Sequence, residues 1–230
     1  MEEALRAAKD GLSQAGEVLQ FSQALWEIGH GEEAISFARQ GQQRTYGDGL
    51  AGWLADRHEE RGEVSTALDL QFRRFESRPA LERYLKVKGL AEGLGQGEEI
   101  CPRLLAFLEQ EEDYRVLVEI YLQEREIDRA IEAVRKLEAY YVQSYLLRVA
   151  QAAEGPRPRQ AIALYQDLAD RQIARTNRGA YQVAAGYVSR AKGLYQRLGE
   201  EREWWAYIAD LRAQYPRHRA LQDELNKAGL

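Results

Sequence analysis

Gly31-Glu32-Glu33-Ala34-Ile35 decides the fold of this chain, because the same phrase returns along it at a nearly constant interval. An acidic turn followed closely by alanine and an aliphatic recurs as Gly62-Glu63 leading to Ala67-Leu68, and as Glu126-Ile127-Asp128-Arg129-Ala130-Ile131. It recurs again as Gly155-Pro156 leading to Ala161-Ile162. The alanines at 34, 67, 130 and 161 are separated by 33, 63 and 31 residues, and Gly97-Glu98-Glu99-Ile100 fills the middle of the long gap as a degenerate copy. A last turn, Gly199-Glu200-Glu201, follows after a longer interval. Self-similarity at a fixed period of this size marks a repeat architecture.

Between the turns the apolar residues keep the helical period. Leu117, Ile120 and Tyr121, then Ile127, Ala130, Ile131, Val134 and Leu137, fall three and four apart, which is the stripe of a helix buried on one face. Ala184, Val188, Ala191, Tyr195 and Leu198 repeat the pattern, and no segment alternates as a half-buried strand would. The fold class expected is all-α, an α-α superhelix of tetratricopeptide-like helical hairpins stacked as a solenoid. The small alanine opening each second helix lets it cross its partner closely. Pro79, 12 residues after Ala67, and Pro216 stand where a second helix ends. An irregular helical bundle would have helices of the same length, and the regular spacing of five copies favours the solenoid over it.

Helices are predicted near 2–14, 16–29, 32–44, 50–61, 64–77, 80–93 and 100–110. The second half adds 113–124, 127–138, 141–153, 158–175, 179–198, 201–214 and 217–227. The chain reads as one helical-repeat domain over 1–230, or alternatively as a repeat body over 1–155 with a C-terminal helical cap over 156–230. The candidate linker, Gly155-Pro156-Arg157-Pro158, is short enough to be an interhelical turn with proline at a helix start.

Composition narrows the function classes. A chain of 230 residues that is 45% hydrophobic with a net charge of −5 has material for a core and too little charge for disorder. One cysteine, Cys101, excludes a disulfide framework and a four-cysteine zinc site, and fits a reducing cytoplasm. The longest apolar run is six residues, Trp204 to Ala209, so no membrane span is expected, and Met1-Glu2-Glu3 opens no signal peptide. Six of the 32 basic residues are lysines, an arginine excess that reads as a genomic bias.

Charge is unevenly distributed. Residues 171–230 hold 11 Lys+Arg against 6 Asp+Glu, a net of +5, which leaves −10 for the first 170. No acidic residue lies between Asp170 and Glu200, whereas Arg171, Arg175, Arg178, Arg190, Lys192 and Arg197 all do. The first three share one helical face if the helix runs that far, and Tyr181, Tyr187 and Tyr195 are interleaved with the rest. These six basic residues are the candidate partner-binding set. A strip of this kind holds phosphates or an acidic protein surface, with tyrosines available for stacking. Its structural counterpart is a solvated face paired with the chain's own acidic body, the tyrosines being core. The acidic whole, with a pI near 5.5, favours the second.

The search for chemistry returns no catalytic, cofactor-binding or metal-binding residue. His30, His58 and His218 are far apart and stand at no metal-ligand spacing, so each reads as a surface histidine, with His58 at a helix end among Asp56, Glu59 and Glu60. No phosphate loop, dinucleotide fingerprint, nucleophile elbow or His-Glu-x-x-His is present. Cys101 precedes Pro102 near a helix start without a histidine partner and reads as structural. Of the pair Trp204-Trp205, helical geometry puts one side chain in the core and turns the other about 100° away, onto a neighbouring helix or an interface.

The C-terminal segment resembles a known family. Ile173-Ala174-Arg175-Thr176, Ala180-Tyr181, Ala184, Leu194-Tyr195 and Arg197-Leu198-Gly199 are similar to the closing helices of bacterial SWIM zinc-finger proteins. So are Trp205, Tyr207-Ile208, Leu211-Arg212, Arg217 and Leu221 to Leu225. Leu68 to Leu85, with Phe72, Phe75, Pro79 and Tyr84 in order, resembles the same helical region, as does Ala161-Ile162-Ala163-Leu164-Tyr165. The similarity spans roughly residues 50 to 230 and is most specific over 160 to 225. In that family an N-terminal zinc finger precedes a long helical region. The finger takes three cysteines and a histidine and this chain has one cysteine, so neither the zinc site nor its nucleic-acid binding carries over.

The sequence therefore supports a non-enzymatic helical-repeat scaffold that presents a groove or edge to a protein partner, without a cofactor. A nucleic-acid accessory module using the basic strip is the alternative, and a membrane partner is not expected.

Overall fold

The repeated turn closes in the same way each time. The computed structural model describes residues 8, 11, 12, 14–44, 47–137 and 139–230, and the side chains of all of these except 139–141. In five turns the backbone N–H just before a new helix donates to the carbonyl five residues back. These bonds run from His30 to Leu25, Glu63 to His58, Gln96 to Ala91, Glu126 to Tyr121 and Glu200 to Tyr195, at 2.8 to 2.9 Å. Each closure needs a left-handed residue one position earlier. Gly29, Gly62, Gly95 and Gly199 supply it at φ of 87°, 74°, 71° and 70°, and Arg125 supplies it at 59°.

Thirteen helices follow one another among the described residues, and none of those residues is in a strand. The first unit, Met1–Glu112, holds α1 (Ala15–Glu27), α2 (Gly31–Arg44), α3 (Asp48–Glu60), α4 (Val64–Ser77), α5 (Leu81–Gly93) and α6 (Gly97–Gln110). The second, Asp113–Leu230, holds α7 (Tyr114–Gln123), α8 (Ile127–Val134), α9 (Ala139–Ala153), α10 (Pro158–Ile173), α11 (Arg178–Leu198), α12 (Glu201–Gln214) and α13 (Arg219–Lys227). Within the units consecutive helices pack on each other from α1 through α6 and from α7 through α12, and α1 on α3, α7 on α9 and α11 on α13 add the packing of one hairpin on the next. The all-α, helical-repeat class is thus the one the sequence predicts. The helix expected over 2–14 falls almost wholly outside the described residues.

The recurring phrase opens every second helix, α2 through α12. Its alanines, Ala34, Ala67, Ala130 and Ala161, have no exposed surface, so each marks a close crossing. Several boundaries differ from expectation, and α8 ends at Val134 rather than 138. Helix α6 begins at Gly97 rather than 100, because the Gly95 turn already starts it, and Pro102 then lies inside the helix. Helix α10 ends at Ile173: Thr176 takes φ of 52° and the Asn177 side chain accepts from the Ala180 amide at 2.9 Å, capping a new helix.

The compact units divide at 112/113. There Glu112 takes φ of 55° and Asp113 caps α7 by accepting from the Val116 amide at 3.2 Å. Gly155 to Pro158 is an interhelical turn, with α9 and α10 packed on each other across it and Pro158 opening α10.

Electrostatics joins neighbouring hairpins as well. In the first unit Asp48, at the start of α3, meets Arg74 at 3.1 Å and Arg83 at 2.7 Å. Partial burial works against the Asp48 charge, but the hydrogen bond and charge of Arg74, with Arg83 behind them, hold its carboxyl below the usual aspartate range. In the second unit Arg157 grips Asp128 through two bonds of 2.8 and 2.7 Å, the planar fork geometry that favours arginine over lysine.

Candidate functional site

The basic strip is the first place to look, and its side chains are engaged. Arg171 meets Asp167 at 2.7 Å on its own helix, and Arg175, in the turn after α10, reaches Gln172 at 3.4 Å. Arg178 opens α11 and binds Glu224 of α13 at 3.0 Å. Arg190 binds the Glu154 carboxylate at 3.3 Å, and Arg197 donates to the Glu154 backbone carbonyl. Lys192 donates to the carbonyl of Gly229 at 2.7 Å and stands over the Trp204 ring.

The first three do not share one helical face, because the chain breaks between Ile173 and Arg178. Nor are the tyrosines free for stacking. Tyr181 is buried and hydrogen-bonded to His218 at 3.2 Å, Tyr187 stacks on Tyr165, and the Tyr195 hydroxyl accepts from Gln166 at 3.2 Å. Glu154 is the hub, since it also accepts from the Tyr165 hydroxyl at 2.5 Å. Burial first and this hydrogen bond second push the Tyr165 hydroxyl pKa well up. Trp204 is buried, and its neighbour Trp205 is 64% exposed.

The first unit contains a different arrangement. His58, expected at the surface, is 1% exposed. Its Nδ1 lies 2.6 Å from the Glu63 carboxylate and its Nε2 lies 3.3 Å from Arg39. Guanidinium only donates, so Nε2 must accept, and the imidazole is the neutral tautomer with its hydrogen on Nδ1 donating to Glu63. That hydrogen bond, opposed by burial and helped by the Arg61 charge, holds the Glu63 carboxyl below the usual glutamate range. The chain of contacts continues through Arg61 to Glu32 at 2.8 Å.

The repeat register explains why a histidine is buried here. His58 offers the carbonyl that closes its turn, and the equivalent residues in the other turns are Leu25, Ala91, Tyr121 and Tyr195. Leu25, Ala91 and Tyr121 are buried, so the register puts the His58 side chain in a core position. Aligning the turns on their left-handed residue would have found it. The acidic neighbours Asp56, Glu59 and Glu60 suggested exposure, although they lie on other faces of α3.

Around His58 the helices α2, α3 and α4 leave a cleft of about 390 Å³, within the range of small-ligand and side-chain pockets. Its floor is apolar, formed by Ala51 and Leu54 of α3. Arg39, Gln42 and Gln43 of α2 form one wall. Thr66, Asp69, Leu70 and Arg73 of α4 form the other. A second hollow adjoins it, sharing Arg39, Gln43 and His58. Among the described residues no group of three or more His, Cys, Asp or Glu is placed to hold a metal, and no helix is long and apolar enough to cross a membrane.

No family model matches the chain. The chain is similar to "Uncharacterized protein YwqB" of Bacillus subtilis (strain 168), 40% identical over 58 residues. That stretch is 25% of this chain and 11% of the relative's length. Among solved structures it is similar to a de novo designed helical repeat protein, 20% identical, with 99% of this chain and 98% of that one aligned at a TM-score of 0.18. That score falls short of a shared fold, and the fold class rests on the helix pairing itself.

Proposed function

We propose that this chain is a non-enzymatic helical-repeat scaffold that binds a partner protein. The observation that carries the proposal is the α2–α4 cleft, where helices of two successive hairpins set polar walls and the partly exposed Leu70 around a buried apolar floor. The His58 imidazole supports the non-enzymatic part. Both ring nitrogens are occupied, one donating to Glu63 and the other accepting from Arg39, so proton transfer would first have to displace an arginine. Trp205 of α12 and Ile28 after α1, 64% and 66% exposed, are further anchors of the kind interfaces favour. Affinity capture with the full chain under mild salt, followed by binding of the purified candidate, tests the proposal. If nothing is captured above background, the scaffold role is wrong.

Within the same proposal, the chain is a cytoplasmic relative of the helical region of SWIM zinc-finger proteins, on the strength of the residues quoted above. A Cys-x-Cys and Cys-x-His element in the reading frame upstream of Met1 would support that relationship. The nucleic-acid alternative draws on six basic side chains that already meet acceptors within the second unit. A filter-binding titration lacking salt-sensitive retention of single- or double-stranded nucleic acid would end it.

A further inference from the structure

We propose that the α2–α4 cleft takes a carboxylate side chain of the partner, an aspartate or glutamate next to an aliphatic residue. The inference rests on the scaffold reading and assigns it a site and a chemistry.

Two arginines of the cleft lack a described counterion. Arg74 lines the cleft but is tied to Asp48 and Gln71. Arg39 contacts only the neutral His58 ring among the described residues, and Arg73 has no charged or hydrogen-bonding partner there. Both are exposed. His58 fixes Arg39 without neutralising it: the Glu63 hydrogen bond orients the ring, and the ring nitrogen accepts one guanidinium N–H. The remaining donors of Arg39 are left for an incoming acceptor, with the amides of Gln42 and Gln43 on the same wall.

The sign of the uncompensated charge selects the ligand. Among the described residues Arg39 and Arg73, without a carboxylate partner, stand against one cleft carboxylate, Asp69, while Arg74 shares Asp48 with Arg83. This positive excess matches an anionic side chain. A dianionic phosphate would meet more repulsion from Asp69 than a single carboxylate does. Of the apolar lining Leu70 is partly exposed whereas Ala51 and Leu54 are buried beneath, so Leu70 is the part of the floor that accepts an aliphatic neighbour of the acidic residue. A bare anion would leave that floor unused.

The test uses the full chain immobilised against capped hexapeptide libraries, randomised except for one position fixed as Glu, Asp, Gln or phosphoserine. The Glu or Asp library is expected to be retained at least about tenfold over the Gln library, the size of a charge-assisted hydrogen bond. Arg73→Gln, at an exposed side chain with no described partner, and Arg39→Gln should each erase most of that preference while the circular dichroism spectrum is unchanged. Equal retention of Glu and Gln overturns the proposal, as does a preference that survives both substitutions. Stronger retention of phosphoserine overturns it in favour of a phosphopeptide. Affinity capture with Arg39→Gln/Arg73→Gln separates the two readings. If the double variant retains the partner, the site is refuted and the scaffold role stands, whereas a wild-type chain that captures nothing refutes the role itself.

Discussion

Replacing Arg125 by glycine should stabilise the protein. Five turns close through a left-handed residue, and in four of them that residue is glycine. Arg125 occupies the fifth at φ of 59°, with its side chain exposed. A Cβ in this conformation costs about 1–2 kcal/mol. Glycine gives back about 0.4–1 kcal/mol through the larger freedom of the unfolded chain, leaving a net gain of roughly 0.5–1 kcal/mol for Arg125→Gly. The converse substitutions are Gly62→Ala and Gly95→Ala. No atom lies within 4 Å of where their Cβ would stand, so only backbone strain enters and the loss should be of similar size. Urea unfolding followed by circular dichroism reads the difference. At an m-value of about 2–3 kcal/mol per molar, the midpoint should rise by roughly 0.3 M for Arg125→Gly and fall by roughly as much for each alanine variant. A lower midpoint for Arg125→Gly would refute the reasoning, because it would mean that the arginine side chain contributes more than its backbone strain costs.

Asp48→Asn should destabilise by about 1–2 kcal/mol, a discounted figure for a one-third-exposed carboxylate shared by Arg74 and Arg83. Because the folded Asp48 carboxyl titrates below the usual aspartate value of 3.8, its contribution is present above that pH and is lost as pH falls through the lower folded value. The variant should therefore show a shallower acid limb in stability measured from pH 5 downward. Gly41→Ala should cost about 1–3 kcal/mol, since its Cβ would lie 2.4 Å from a Val18 methyl where α2 crosses α1; a thermal melt indistinguishable from wild type would disprove that close approach. Arg178→Gln should lower stability by no more than about 1 kcal/mol, because Glu224 keeps Lys227 at 2.8 Å. If it instead abolished nucleic-acid retention without affecting stability, the basic strip would be a binding surface after all.

The fold was legible because it is written locally. A glycine, an acidic pair and an alanine within a few residues are enough to end one helix and start another, and nothing distant is needed to read them. The same locality explains the degenerate copy at Gly97, where Ile100 replaces the alanine but the Gly95 turn survives. Pro102 falls in the second turn of α6 and not its first, because the Gly97-Glu98-Glu99-Ile100 phrase after the Gly95 turn already opens the helix. The site was not legible in the same way. Arg178 finds Glu224 across 46 residues and Arg190 finds Glu154 across 36, and such pairings follow from hairpin stacking rather than from any local pattern.

That difference decides how a charge imbalance should be interpreted. Summed along the chain, the last sixty residues carry +5 and the first 170 carry −10, which directs attention to the C-terminal end. Summed by contact, part of that excess is already engaged. In the C-terminal end Arg178, Arg190 and Arg171 meet the carboxylates of Glu224, Glu154 and Asp167, and Lys192 and Arg197 meet backbone carbonyls. Arg175, Arg202, Arg212, Arg217 and Arg219 of the same end, like Arg39 and Arg73 of the acidic body, have no described side-chain carboxylate partner. A partner responds to the field left after internal pairing, because paired charges largely cancel within a Debye length of about 8–10 Å at physiological salt. Positive charge without a described counterion thus lies on both parts of the chain, and the α2–α4 cleft holds some of it inside the part whose net charge is negative.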